Sequence, residues 1–448
     1  MQALDDYKTS CISFSSNLLT YFYILIDKTM CETPSRNLNP TIVLLANPNT
    51  YRGKSFADAA DRLSLHILWA IDIPEKLASE WNMSLSVDFS NHDKSVKTIV
   101  SLANTNQIVS ILAIDDSATL IAAEACNLLD LPHNSPSAAK AARDKLIMRQ
   151  SLRSGEVLCP KFMSFQHNAN PEDIAKQISY PCVLKPLLLN GSRGVIRANN
   201  PTEFKTAWHR VRNILSNSVG TQIMVEDYIP GTEVAVEALI NDKGIKILAI
   251  FDKPDPLIGP FFEETIYVTP SRLPQEDQLK IENTLISAAR ALGLRFGPIH
   301  AEFRINERGV WPIEIAGRTI GGLCSNILSF GSGLSLEELV LLQASGSNID
   351  KFAADDRSKG VMMIPIPKRG ILRKITGIEQ AKSIAGIDKI EITAKLNYPL
   401  TPLPEGDGYL GFIFAYGKTP SKVENALRQS HSLLQFQIES EMILEQIK

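Results

Sequence analysis

The sequence predicts a chain that opens as an α/β domain with a parallel sheet and continues as α+β. Three observations carry this. Apolar runs alternate with helical patterns between residues 41 and 131, strand-forming runs joined by Gly/Pro turns fill 179–253, and 448 residues correspond to about three domains.

Taken in order, residues 1–39 lack clear periodicity and end in the polar, proline-flanked CETPSRNLNP, the pattern of an N-terminal extension and linker. The first packed domain, 40–135, starts with TIVLLAN (41–47), a short apolar run closed by Asn-Pro and therefore a buried strand. A helix from about Ser55 to Leu63, a second run LHILWAID (65–72), a polar stretch, a third run IVSILAID (108–115) and an amphipathic helix over 117–131 complete the βαβ alternation. Asp116 and Ser117 stand where a helix cap belongs. The loop after the first strand, NPNTYRGK, has no G-x-G-x-x-G, so this Rossmann-like sheet serves substrate binding or packing and not a dinucleotide.

Residues 136–355 form the middle region. It opens with an Ala-rich basic helix over 137–154, continues through runs rich in strand formers, and holds a helix over 277–294 that ends at Gly293. The last region, 356–448, carries VMMIPIP, then YLGFIFAYG (409–417), and closes with a helix over 421–435.

Lys plus Arg, 46, against Asp plus Glu, 49, leaves a net charge of −3, far from the basic excess of a nucleic-acid binder, so no nucleic-acid partner is expected. Six scattered cysteines without a C-x-x-C pair read as reduced thiols and give no zinc site. The longest apolar run, LLTYFYILI (18–26), is too short to span a bilayer and follows Asp5 and Asp6 where a signal would carry positive charge; no membrane association and a cytoplasmic location are expected.

The chemistry starts at Lys185, in the apolar run PCVLKPLLL, where an ammonium is costly unless an anion meets it. The following Asn190-Gly191-Ser192-Arg193-Gly194 has two glycines that let backbone N–H groups approach a phosphate. A snorkelling lysine before an ordinary glycine turn accounts for the same residues. VEDYIPGTE places Glu226 and Asp227 at the end of one strand and Glu233 at the start of the next, suited to an adenine edge and ribose hydroxyls, or simply a charged turn.

The sharpest pattern is HAEFRINERGVWPIEIAGR (300–318). With a three-residue loop, Glu307-Arg308-Gly309, Phe303 faces Ile313, Ile305 faces Trp311 and Ala301 faces Ile315, which sets Glu302 opposite Glu314 on the other face. Like charges so placed are destabilising and want a cation, either Mg²⁺ shared with nucleotide phosphates or Arg304 on a solvated face. Beyond them Arg318, Gly321 and Gly322 offer a guanidinium beside open backbone, suited to a carboxylate or acyl-phosphate oxygen, with His300 on the same face.

Five motifs in order, DKLIMR, VLKPLLLNGSRG, VEDYIPGTE, HAEF and EIAGR-TIGG, make the chain from about residue 41 onward resemble the ATP-grasp superfamily of carboxylate–amine ligases. FDK, FFEETIYVTPS and the IGG after Arg318 look most like amino-acid (dipeptide) ligases. The resemblance implies a Rossmann-like N-terminal domain, a two-lobed ATP-grasp fold and a C-terminal α+β domain. It also implies ATP and Mg²⁺ (or Mn²⁺), small-molecule carboxylate and amine substrates, and room for a homodimer. Position by position it makes Lys145 and Lys185 the phosphate lysines and Gly191, Ser192 and Gly194 the flap over those phosphates. Glu226 and the Ile229 backbone become the adenine contacts, with Asp227 and Tyr228 also at the ATP, Glu233 the ribose contact, and Glu302 and Glu314 the metal ligands. Arg318, with Lys185, becomes catalytic, and Glu264, His300, Gly321 and Gly322 line the substrate site. Ala316 stands where the family usually has a metal-binding Asn. A biotin-carboxylase-like or purine-pathway ligase, and a catalytically silent ATP-binding protein, are the alternative readings.

Overall fold

The computed structural model describes residues 37–440 apart from 81–84, 217–220 and 356; the apolar run at 18–26 lies outside them. Among the described residues, no helix is long and apolar enough to cross a membrane. The described residues divide into two compact units, one running up to His133 and taking in Glu337–Ile349, the other comprising Asn134–Leu336 and the described residues from Asp350 onward.

The first unit is built on a parallel sheet in the order Leu85–Val87, His66–Asp72, Asn37–Ala46, Asn106–Ala113. Val43 and Leu45 share a core with Val96 and Ile99 of helix His92–Ser101 and with Ile121 and Ala125 of helix Thr119–Leu128. Ile42 and Leu44 on the opposite face are buried too, the signature of a central parallel strand. The first strand begins at Asn37, inside the expected linker. The polar stretch before the third apolar run holds a short helix, Glu75–Glu80, the strand Leu85–Val87 and the helix His92–Ser101. A three-residue strand is too short to leave an alternation in the sequence.

In the second unit an antiparallel sheet of four strands, Phe162–Gln166, Gln222–Asp227, Cys182–Pro186 and Ile196–Ala198, packs on helix Pro201–Leu215 through Phe204, Trp208 and Val211. That helix escaped the sequence reading although its signals were present: Asn200 caps the Thr202 and Glu203 amides, Pro201 opens the first turn, and the apolar residues recur at helical spacing. The larger sheet has eight strands, in the order Gly309–Ala316, Gly297–Asn306, Thr232–Asn241, Gly244–Asp252, Ile266–Thr269, Ser358–Ile364, Gly411–Gly417, Ile387–Ile392. The C-terminal strands therefore continue the sheet that carries Glu302 and Glu314.

Along Thr232–Asn241, Val234, Val236, Ala238 and Ile240 join Ile281, Leu285 and Ala288 of helix Gln275–Leu292 in one core. Period-two alternation then turns Glu233 and Glu237 to the opposite face. That helix ends as expected, with Gly293 in the left-handed conformation (φ 78°).

The expected single helix over 137–154 is two, Pro136–Arg143 and Lys145–Ser154. Asp144 leaves the helical conformation (ψ 113°) and its carboxylate accepts the Leu146 and Ile147 amides, so it caps the second helix and starts it at Lys145. Asp144→Ala is expected to cost about 1 kcal/mol, read as a lower urea midpoint with an unchanged slope.

Candidate active site

The hairpin that brings Glu302 and Glu314 together does so by a different route from the expected one. Asn306 pairs with Gly309, so the loop is the two residues Glu307-Arg308, and a register shift after Phe303↔Pro312 restores Glu302↔Glu314 and Ala301↔Ile315. Ile313 is the extra residue of a bulge, and its carbonyl accepts from Arg149 Nη2 at 2.8 Å. Phe303 thus faces Pro312, and Ile305 faces Val310, in place of Ile313 and Trp311. Pro312 was the legible sign: proline lacks the ladder N–H and sits on edge strands or at bulges, and this strand is both.

On the other side of this strand pair, Glu302 lies beside Ala235, His300 beside Glu237 and Arg304 beside Glu233. Two of these cross-strand neighbours are ion pairs: Arg304 Nε donates to Glu233 at 2.7 Å and His300 Nδ1 lies 2.5 Å from Glu237. Lys253, just past the strand Gly244–Asp252, points its ammonium into three carboxylates, Glu233 at 2.9 Å, Glu264 at 2.5 Å and Glu302 at 3.0 Å. Glu264 also accepts from the Tyr267 hydroxyl at 2.6 Å.

A second network lies on the smaller sheet. Glu226 is buried between Lys185 Nζ, at 2.6 Å, and Arg149, whose Nε and Nη2 donate to it at 2.7 and 3.2 Å. Lys145 Nζ donates to the Leu189 carbonyl at 2.7 Å.

Burial sets the ionisation of these groups, and their partners decide its direction. Burial alone would raise the Glu226 carboxyl, but Arg149 and Lys185 outweigh it and hold it down at about 2. Burial lowers Lys185, with Glu226 pulling the other way. Burial also opposes the charge on Lys253, yet Glu233, Glu264 and Glu302 raise it well above the ordinary lysine range. Glu302, despite its burial, is held well below the carboxylate range by Lys253 and His300. Glu264 takes the opposite course: burial, with Glu302 beside it, outweighs the pull of Lys253 and pushes it up to about 7. His300, which burial alone would depress, is raised to about 9 by its hydrogen bonds to Glu237 and Glu302.

One cleft is lined by Lys145, Lys185, Ser192, Glu226, Asp227, Tyr228, Ile229, Glu233, Glu264, Glu302 and Glu314. Eleven residues singled out from the sequence thus converge on one surface. Val183, Leu257, Phe262 and Ile313 supply its apolar wall.

Gly191 and Gly194 belong to the loop over this cleft but do not line it. His300 lies behind Glu302, and Arg318, whose Nη1 donates to the Thr319 carbonyl at 2.8 Å, follows the edge strand with Gly321 and Gly322 without reaching the cleft lining. The carboxylates of Glu226 and Glu233 are held by cations, so each reaches the cleft as half of an ion pair. Sequence reasoning quoted FDK but gave Lys253 no role, and passed over Arg149. Arg304 proves to serve Glu233 and the Ile229 and Leu257 carbonyls, not Glu302.

Residues 178–327 match the model of the ATP-grasp domain, and residues 362–439 match L-amino acid ligase C-terminal domain 2. An L-amino acid ligase from Bacillus licheniformis superposes with a TM-score of 0.75 at 24% identity, over 91% of this chain and 100% of that one. An uncharacterized protein of Sinorhizobium fredii is 25% identical over 88% of this chain and 82% of its own length. The alanine–anticapsin ligase of Bacillus subtilis is 28% identical over 49% of this chain and 50% of its own. The matched domains define the class: the chain carries an ATP-grasp domain. Beyond it lies a region that matches the second C-terminal domain of the L-amino acid ligases.

Proposed function

We propose that this chain joins the carboxylate of one amino acid to the amine of another through an acyl phosphate, releasing ADP and phosphate. The observation that carries the reading is the opposition of Glu302 and Glu314 on adjacent strands, in one cleft with Lys145 and Lys185. A like-charge pair and two lysines in one enclosed space suit a nucleotide triphosphate with its cation better than either would suit packing.

In this reading Lys145, Lys185 and the 190–194 loop hold the phosphates, Asp227, Tyr228 and Ile229 border adenine, and Glu233 meets the ribose beside its own cations. The donor set suits Mg²⁺ or Mn²⁺, because Glu302 and Glu314 offer hard carboxylate oxygens, and Glu302 can exchange its contact with Lys253 for a metal. A bound metal would neutralise phosphate charge. Ala316 supplies no ligand, which leaves the two glutamates as the protein's share.

The substrate carboxylate oxygen attacks the γ-phosphorus, the bond to the bridging oxygen breaks, and ADP leaves. The amine nitrogen then attacks the acyl carbon, the carbon–oxygen bond to phosphate breaks, and the nitrogen gives up a proton. Lys185 holds the phosphates throughout, and Arg318, with Gly321, Gly322 and His300 near it in sequence or on the same face, would take the carboxylate and then the acyl phosphate. Glu264, a carboxylate on the cleft lining beside Lys253, is suited to receive an amine. The 190–194 loop excludes water, on which the acyl phosphate's lifetime depends.

Phosphate release from ATP and Mg²⁺, screened over pairs of amino acids and followed by mass spectrometry, tests this. The expected result is release that needs both amino acids, with a product at their summed mass less one water. Release with bicarbonate or formate and none with amino acids would move the protein to the carboxylase or purine-precursor reading.

A further inference from the structure

The loop at 190–194 has two sides, and only one faces the cleft. Leu189 and Ser192 line it, and Lys145 holds the Leu189 carbonyl at 2.7 Å. The left-handed conformations of Gly191, Ser192 and Gly194 (φ 60°, 56° and 72°) turn the rest of the loop outward. There it meets the segment 401–408 of the C-terminal region. Gly194 donates its amide to the Pro404 carbonyl at 2.8 Å, and Arg193 Nε donates to the Glu405 carbonyl at 2.9 Å. A Cβ on Gly191 would stand 3.2 Å from the Cβ of Asp407. The Glu405 carboxylate takes two bonds from Arg210, Nε at 2.5 Å and Nη2 at 2.9 Å, on the helix Pro201–Leu215 that backs the same sheet. Arg210 is itself fixed, its guanidinium lying 4.8 Å over the Phe261 ring.

The segment is rooted at both ends. Leu400 pairs with Gly370 before it, and Leu410 donates to the Ile364 carbonyl at 2.8 Å as the chain enters Gly411–Gly417. Between these roots it turns on itself, with the Gly406 amide on the Pro402 carbonyl at 2.9 Å. A short loop with two glycines has little stiffness of its own, so its conformation is set by what clamps its outer side.

We propose that segment 401–408 is a strap that holds the cleft loop in place, with the Glu405 carboxylate as the positioning group acting through Arg210. The strap's consequence for catalysis rests on the ATP-dependent reading above; its mechanical part does not. A loop held in place before nucleotide arrives spares the binding step the cost of ordering it, so loosening the strap should weaken nucleotide binding without touching a group in the cleft.

The test uses the full chain. Amide exchange across 190–194 is measured without nucleotide, and ADP with Mg²⁺ is titrated by calorimetry. Glu405→Arg, which sets like charge against Arg210, is expected to speed loop exchange about tenfold and raise the ADP dissociation constant by a similar factor. Neutral Glu405→Gln is expected to give about threefold changes. The double charge reversal Arg210→Glu/Glu405→Arg is expected to bring both readouts back to within about threefold of wild type, which a merely structural role for Glu405 does not predict. Unchanged exchange at 190–194 in Glu405→Arg, or failure of the double variant to restore it, overturns the strap. Should Glu405→Arg lose its thermal transition, Glu405→Gln decides, and unchanged loop exchange there overturns the proposal equally. A wild-type chain that fails to bind ADP would count against the ligase reading, while the exchange measurement still decides the strap.

Discussion

Lys185→Met is expected to lower ADP release by about a hundred- to a thousandfold while the chain stays folded. The separation follows from how Glu226 is held. Its carboxylate has two cationic partners, and Arg149 alone keeps two hydrogen bonds to it, at 2.7 and 3.2 Å. Removing the Lys185 ammonium therefore leaves a buried carboxylate that is still paired, so the heavy penalty of an uncompensated buried charge does not arise. Methionine fills most of the lysine's apolar volume in the buried strand Cys182–Pro186. The cleft loses a fixed positive charge in a site that excludes much of its water, where such a charge is worth most to developing phosphate charge. A coupled ADP assay beside a thermal melt checks both halves. Wild-type ADP release in this variant would remove Lys185 from the chemistry, and a collapsed melt would show Arg149 to be insufficient for Glu226.

Much of this site was legible because two independent constraints met in one short hairpin. Alternating apolar residues at 301, 303 and 315 fix which face is buried, and once that is fixed Glu302 and Glu314 can only point the other way. The bulge at Ile313 was not legible from alternation, which assumes one residue per rung; Pro312 carried the information and alternation ignores it. Lys253 was hidden for a different reason. Its partners Glu233, Glu264 and Glu302 come from three separate stretches of chain, and no local pattern says that a lysine after a buried strand end meets all three. Asp144 split a helix that its Ala-rich flanks made continuous on paper, because a capping side chain competes with helical hydrogen bonds at one residue while propensity sums over many. The pairing of the closing region with the larger sheet was not legible for a topological reason: strands Ser358–Ile364 and Gly411–Gly417 join a sheet begun more than a hundred residues earlier.

The Lys253 cluster carries the largest expected effect on stability. Lys253→Met leaves Glu233, Glu264 and Glu302 without their shared ammonium, and breaking a buried ion pair from one side costs about 3–5 kcal/mol. Arg304 still serves Glu233 and His300 still reaches Glu302 at 3.5 Å, so the loss concentrates on Glu264 and on its repulsion with Glu302. That assigns the variant a particular pH dependence. In the wild-type chain Glu264 is already raised to about 7, with Lys253 the charge that resists the rise. Without Lys253 it should move higher still. A carboxyl whose folded value is raised binds a proton that the unfolded chain releases, so stability falls as pH climbs from the ordinary carboxylate range through the raised value, and returns as pH falls back across that window. Glu302 contributes the opposite slope in wild type, because Lys253 and His300 hold it low and its stabilisation is lost only on acidification below the ordinary range. Removing Lys253 weakens that second slope and steepens the first. Urea midpoints at pH 8, 7, 6 and 5.5 should therefore show the deficit of Lys253→Met shrinking steadily toward the acid end, with Lys253→Arg keeping most of the wild-type value throughout. A deficit that is the same at every pH would mean that Lys253 contributes its packed hydrocarbon stem and not its charge.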